Sequence, residues 1–442
     1  MRITKHAVQN NVVHRPETLK KILVLFDQDW DQAQLNKAAL PGVGEYRFFY
    51  EGFDLFSFPS NVNLLVFDIF RFVDKLVAKY RHIKLDGVVS SHEQFGALSA
   101  ALLATRLGLP TTSVEGVLNA QHKALARTII ARELPAASVP FFSFPYTVRT
   151  ASEIGIPFPF FAKPIKAAYS VLARRVEDFD DLRHHLTFHP WEKYIIKRLV
   201  RPFNDVVERV GITDINGHYM LAEQLIDGFQ VNVDGFVENG NIRLLGIVDA
   251  VMYPGTDAFM RFEYPSRLPA DWQYKVRAAA EGVVRALKID HGLFNVELKI
   301  CSHSGDCKLI EVNPRMAAQL STLYEMVDGI NLHELALKLA LGEPVDAEKK
   351  MRPDKFATSY VYRRFDGLPQ PHFPGAAQLQ ALKNFDPDSQ LVLFKKTGGG
   401  LKREMKWLRS HRYACLNLAA ASEAALQEKY QRASALLGFP AL

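Results

Sequence analysis

Two apolar segments, FNVELKI at 294–300 and KLIEVN at 308–313, each hold one glutamate in their interior and are joined by a short polar stretch. Short runs rich in Val, Ile, Leu and Phe, bounded by turn residues, are predicted as paired β-strands. With the turn centred on Ser304, Glu297 and Glu311 stand directly opposite each other on antiparallel strands. Side chains alternate along a strand, so Asn313 shares the face of Glu311. Like charges facing each other across a half-buried sheet are destabilising unless a cation sits between them. Mg²⁺, which takes hard oxygen ligands from one or two carboxylates plus substrate phosphates, is the expected occupant, with Mn²⁺ as a substitute. Arg315, two residues further on, is placed to stabilise the charge of a transferring phosphoryl group. The competing account makes both glutamates exposed hairpin positions and Pro314 a strand terminator. The apolar flanks weigh against it, and a one-residue bulge that would shift the pairing stays open.

The hairpin sits in a chain of mixed architecture. KILVLFD at 21–27 and DGVVSS at 86–91 are predicted as buried parallel strands, and HEQFGALSAALLATRLGLP at 92–110 as a helix stopped by Gly108 and Pro110. A small doubly wound sheet over residues 1–116 follows. Beyond it, a helix holding Lys123 and Arg127 leads to the strand FPFFAKP at 158–164. AEQLI at 222–226, the turn Asp227-Gly228, FQVNVDGFV at 229–237 and IRLLGIVDAV at 242–251 are predicted as antiparallel sheet. Residues 117–345 therefore form an α+β unit, and 346–442 a separate small α+β lobe with strands at FATSYVYRRF and QLVLFKK.

A composition of 48% hydrophobic and 23% charged residues excludes disordered and fibrous classes. No signal-peptide pattern and no apolar run long enough to span a bilayer is found, so a cytoplasmic location and no membrane partner are expected. Three cysteines are too few for a disulfide framework, and Cys301, His303 and Cys307 do not match zinc spacings. The net charge of +6 favours anionic ligands, although nucleic acid is not expected as a partner. Seven Lys and Arg lie from Lys395 to Arg412, either a solvated face or a docking surface for an acidic partner or phosphorylated substrate. The chain has no GxxxxGK[ST] motif, no GxGxxG after a strand, and only a TGGG at 397–400 that is predicted as a flexible turn.

The ordered set Lys123, Lys163, AEQLIDG at 222–228, Glu297 and LIEVNPR at 309–315 resembles the ATP-grasp superfamily, in its carboxylate–amine ligase and carboxylase-like branch. The resemblance spans roughly residues 20–345. It implies a Rossmann-like N-terminal lobe, central ATP-grasp lobes with a lid over about 125–222, and a small C-terminal lobe. It also implies that Lys123 and Lys163 contact ATP phosphates and that Glu223, with the backbone of Gln224 and Ile226, reads the adenine edge. Gln230 stands where the family often has a ribose-binding glutamate. After Lys163 the family's glycine- or serine-rich loop is replaced by Lys166, Ala167, Ala168, Tyr169 and Ser170, of which Lys166 and Ser170 can still donate.

What the resemblance implies is an ATP-dependent ligase that converts a carboxylate to an acyl phosphate, releasing ADP, and joins it as an amide to an amine, expected to be an amino acid or amino compound. Arg267, in FEYPSRLP, is a candidate to hold a substrate carboxylate. Acyl transfer to a thiol or carrier protein is the alternative, and a noncatalytic nucleotide-binding module is the alternative of another class. The expected partners are small carboxylates and amines, with a carrier protein and a homodimer left open.

Overall fold

The computed structural model describes residues 19–35, 45–55, 60–167, 171–365, 372–396, 398–440 and 442. Ser170 and Thr397 lie outside the described residues.

Near the N-terminus, β1 (Lys20–Leu25), β2 (Tyr46–Glu51) and β3 (Gly87–Val89) form a parallel sheet in the order β2-β1-β3. Its helices, 69–80 and 96–107, bury a core of Leu23, Leu25, Val73, Leu76 and Leu98. Both predicted strands and the helix after the second are found. Gly108 ends that helix in the left-handed conformation, the glycine stop expected from the sequence.

A second sheet holds β4 (Phe141–Phe144), β5 (Phe160–Pro164), β6 (Arg174–Val176) and β7 (Met220–Gln224), in the order β4-β7-β5-β6. Between β6 and β7 runs a 21-residue helix, 190–210, that sequence patterning alone did not single out because Pro202 interrupts it. Its Phe203, Val206 and Val207 pack into the N-terminal core.

The third sheet has eight strands. They are β8 (Phe229–Glu238), β9 (Asn241–Met252), β10 (Phe259–Tyr264), β11 (Gly292–Ile300), β12 (Cys307–Asn313), β13 (Phe356–Phe365), β14 (Gln390–Leu393) and β15 (Ser410–Ala420). Their order is β12-β11-β8-β9-β10-β13-β15-β14. Residues 346–442 are therefore not set apart in their hydrogen bonding, because β13 joins β10 directly. One face of the central strands packs on helices 123–133 and 270–286 through Val231, Val233, Val296 and Leu298. The opposite face meets helices 321–328 and 332–341 through Phe236, Val248, Tyr264 and Tyr324. The TGGG segment differs from its expectation as a flexible turn, since a helix runs from Gly398 to Leu408.

Candidate active site

Glu297 and Glu311 are paired in register, and a bulge puts them there. Near the turn the ladder runs Ile300↔Cys307, Lys299↔Lys308, Leu298↔Leu309, a spacing that would set Glu297 against Ile310. The register shifts between Glu297 and Leu298, so Ile310 is the extra residue and Glu311 becomes the partner of Glu297. The bulge also frees the Ile310 carbonyl, which accepts from Lys163 Nζ at 2.9 Å and from an Arg127 amine at 3.1 Å.

The same register builds a polar row across three strands. Asn295 lies opposite both Asn313 and Asp234, and Glu297 lies opposite both Glu311 and Asn232. Alternation places all of them on the face away from Val231, Val296 and Leu298. Glu297 Oε2 accepts from Gln230 Nε2 at 2.9 Å, and its Oε1 accepts from Asn313 Nδ2 at 3.3 Å. Asp234 accepts from Asn295 at 3.0 Å and from the Tyr324 hydroxyl at 2.8 Å; burial pushes its carboxyl up to about 6. Asn232 is buried with its Nδ2 unpartnered.

Charge is divided unevenly over the facing pair. Burial, then the neighbouring Glu311, hold the Glu297 carboxyl well above the usual carboxylate range. Burial acts on Glu311 as well, but Lys123 and Lys163 outweigh it and the net direction is down. Lys123 Nζ is 3.3 Å from Glu311 Oε2 and donates to the Ala167 carbonyl at 2.9 Å. Lys163 Nζ is 2.9 Å from Glu223 Oε2, and Arg127 Nε is 2.6 Å from the other oxygen. This network is closed to water, Arg127 being 1% and Glu223 4% exposed.

Arg315 completes the ring. Its guanidinium donates to Asn313 Oδ1 at 3.1 Å and lies 2.9 Å from Glu93 Oε2. Glu93 follows β3 in the N-terminal lobe and also faces Lys166 Nζ at 3.8 Å. Lys166 is buried over the ring of Phe203, and burial, opposed by Glu93, pulls it down to about 8. Sequence reasoning missed Glu93; the available signal was a charged residue just past the C-terminal end of a parallel strand, where such sheets bind ligands.

Of the residues singled out by sequence, Lys123, Lys163, Lys166, Glu223, Gln230, Glu297, Glu311, Asn313 and Arg315 converge. Gln224 ends β7, and Ile226 lies on the link to β8, where Gly228 adopts φ +118°. A Cβ on Gly228 would lie 1.9 Å from the Ile300 carbonyl oxygen, so the turn needs glycine. Arg267 is not brought to the site. Its backbone N–H donates to Asp249, the register partner of Val231 on the opposite face of the sheet, and its guanidinium pairs with Glu423 at 3.2 Å. Gln230 spends its amide on Glu297 rather than presenting it to a ribose. In the basic run, Lys396 pairs with Glu404 and Lys406 with Glu192, so part of its charge is neutralised within the chain. Among the described residues no cluster of three or more His, Cys, Asp or Glu is placed to hold a metal, and no helix is long and apolar enough to cross a membrane.

Residues 156–323 match the family model of the ATP-grasp domain. The chain is 33% identical over 193 residues to carnosine synthase 1 of Gallus gallus, a match covering 43% of this chain and 19% of that protein. It spans a fifth or less of the length of the curated relatives it matches. The L-amino acid ligase from Bacillus licheniformis superposes with a TM-score of 0.69 at 18% identity, covering 95% of this chain and 98% of that one. An ADP complex of purK, an N5-carboxyaminoimidazole ribonucleotide synthetase, superposes with a TM-score of 0.62 at 12% identity, covering 94% and 96%.

Proposed function

We propose that this chain, which carries an ATP-grasp domain over residues 156–323, is an ATP-dependent ligase that activates a small carboxylate as an acyl phosphate and couples it to an amine. The observation that carries this is the facing pair Glu297 and Glu311, ringed by Lys123, Lys163 and Arg315.

The donor set suits Mg²⁺. Two opposed carboxylate groups supply hard oxygens, and a cation between them would offset the burial and the facing Glu311 that push Glu297 upward. Glu297, Glu311 and the amide oxygen of Asn313 would hold the ion, which supplies Lewis-acid charge at the terminal phosphates. Asn313 now turns Nδ2 to Glu297 and Oδ1 to Arg315, so its amide must rotate to join the carboxylates.

Lys123, beside Glu311, and Lys163, beside Glu223, would exchange their carboxylate partners for phosphate oxygens. Lys163 belongs to the four-stranded sheet, which we assign as the lid that excludes water once nucleotide is in place. An oxygen of the substrate carboxylate attacks the γ-phosphorus in line, ADP leaves, and Arg315, held by Glu93 and Asn313, stabilises the charge spread over the phosphoryl oxygens. The amine then attacks the acyl carbonyl, loses a proton, and inorganic phosphate departs.

The test is nucleotide product analysis across a panel of amino acids, other carboxylates and amines. Substrate-dependent ADP and phosphate are expected; AMP and pyrophosphate would overturn the acyl-phosphate route. The partial neutralisation of the basic run gives no support to a carrier-protein acceptor.

A further inference from the structure

The N-terminal sheet and the segment after the catalytic hairpin border one cavity. In the order β2-β1-β3 the chain leaves β1 toward β2 and returns to add β3 on the other side, so the gap between β1 and β3 is a switch point. Ligands of open parallel sheets bind in such gaps, outside the carboxyl ends of the strands. Here Val24 and Val88 wall a void of about 100 Å³, helix 332–341 covers it, and Pro314 and Arg315 stand in its lining. The residue assigned to phosphoryl transfer thus borders a space that the proposed reaction has not used.

The lining is mainly apolar and its helical walls are small. Ala97 and Ala101 lie four residues apart on helix 96–107, and Ala336 and Ala340 four apart on helix 332–341, so each pair shares one helix face. Larger side chains at these positions would fill the space that the methyl groups leave. Among the described residues Asp31 is the one acid in the wall, and it is occupied. Its Oδ1 accepts from His333 Nε2 at 3.1 Å, and its Oδ2 from Ser91 Oγ at 2.6 Å and from the Gln28 N–H at 3.0 Å. Three of roughly four lone-pair sites on the carboxylate are thereby used. A buried ammonium would lose its water and gain little in return, and a second carboxylate would meet a like charge. The space suits an uncharged hydrocarbon group. An apolar cavity of about 150 Å³ takes benzene, so one of about 100 Å³ takes about four heavy atoms.

We propose that this cavity receives the tail of the carboxylate that is activated, so that the substrate is an acid with a short, uncharged hydrocarbon tail of up to about four carbons. The assignment rests on the ligase function proposed above and specifies its acid. With the tail between helices 96–107 and 332–341, the carboxylate is left at Arg315, and Ala97, Ala101, Ala336 and Ala340 set the limit of tail size.

The test is a series of acids offered with ATP and hydroxylamine, which attacks the acyl phosphate and displaces phosphate to give a hydroxamate, so that no acceptor amine is needed. Two sets are compared: the straight-chain acids from acetate to heptanoate, and the 2-amino acids with the same tails. In whichever set reacts, kcat/KM should rise about fourfold per methylene, the gain from burying one, to a maximum at about four carbons beyond the carboxyl group. It should fall at least about tenfold two carbons later, and tails ending in a carboxylate, an ammonium or a phenyl ring should lie at least about tenfold below the best. Ala336→Leu, which places additional carbons in the space, should lower the ratio of four-carbon to two-carbon tails at least about tenfold. A flat profile, a preference for charged or aromatic tails, or equal loss of both tail lengths in Ala336→Leu would overturn the assignment. The wild-type profile decides it even where the variant does not fold. Absence of both hydroxamate and ADP with every acid would instead overturn the ligase function itself.

Discussion

Replacing Glu223 with Gln removes the only anion in a buried triad. Glu223 is 4% exposed, and its two oxygens lie 2.6 Å from Arg127 and 2.9 Å from Lys163. Breaking a buried ion pair costs about 3–5 kcal/mol because an uncompensated charge is left behind. The amide keeps one acceptor and the Ile310 carbonyl holds both cations, so the low end, about 3 kcal/mol, applies. At about 2–4 °C per kcal/mol for units of this size, the melting temperature should fall by roughly 6–12 °C. The pH dependence gives a second check. Burial pushes the Glu223 carboxyl up, but Arg127 and Lys163 hold it down on balance, so its contribution is present above the unfolded carboxylate pKa and is lost as pH falls through the folded one. Burial also lowers Lys163, so the unfolded chain binds more protons there and stability rises with pH toward the ordinary lysine value. Without Glu223 that lysine drops further, and the gap between variant and wild type should narrow as pH rises from neutrality toward the ordinary lysine value. Thermal melts monitored by circular dichroism across that range supply the measurement. A loss under about 2 °C, or a gap that widens with pH, would refute the reasoning.

Three further outcomes are expected. Arg315→Met should abolish turnover in an ADP-release assay while nucleotide affinity, measured by calorimetry, changes little; retained turnover would remove Arg315 from phosphoryl transfer. Glu93→Gln should lower kcat by about 10- to 100-fold through loose positioning of Arg315 while leaving the KM for ATP within about threefold, and steady-state kinetics separate the two. Gly228→Ala should cost at least about 1–3 kcal/mol in urea unfolding, since both its positive φ and its contact with Ile300 oppose a side chain; an unchanged midpoint would contradict the tight turn.

The chemistry-bearing hairpin was legible because strand alternation and apolar flanks are local signals. Even there the pairing of Glu297 with Glu311 came from two departures that offset each other. The turn is centred half a residue earlier than Ser304, and the Ile310 bulge restores the pairing. Glu93 and the triad of Arg127, Lys163 and Glu223 were not legible as a network, because their contacts join elements tens to hundreds of residues apart. Lys163 and Glu223 stand out as single positions, whereas Arg127, on the other oxygen of Glu223, reads only as a helix residue. Arg267 showed the reverse failure. A guanidinium in a loop carries no local mark of which sheet face it will occupy, and the backbone bond to Asp249 decides the matter. Helix 190–210 was obscured by Pro202, which tertiary packing of Val200, Phe203 and Val206 overrides.

The continuous hydrogen-bonding from β12 to β15 has a mechanical consequence. The acids at one end and the strands of residues 346–442 at the other are mounted on a single plate, whose separation changes only by flexing eight linked strands. Lys163 rides on a different sheet, whose strands share no ladder with that plate. A jaw closing on a fixed anvil would leave the positions of the acids unaltered while the grip on the bound phosphates tightens.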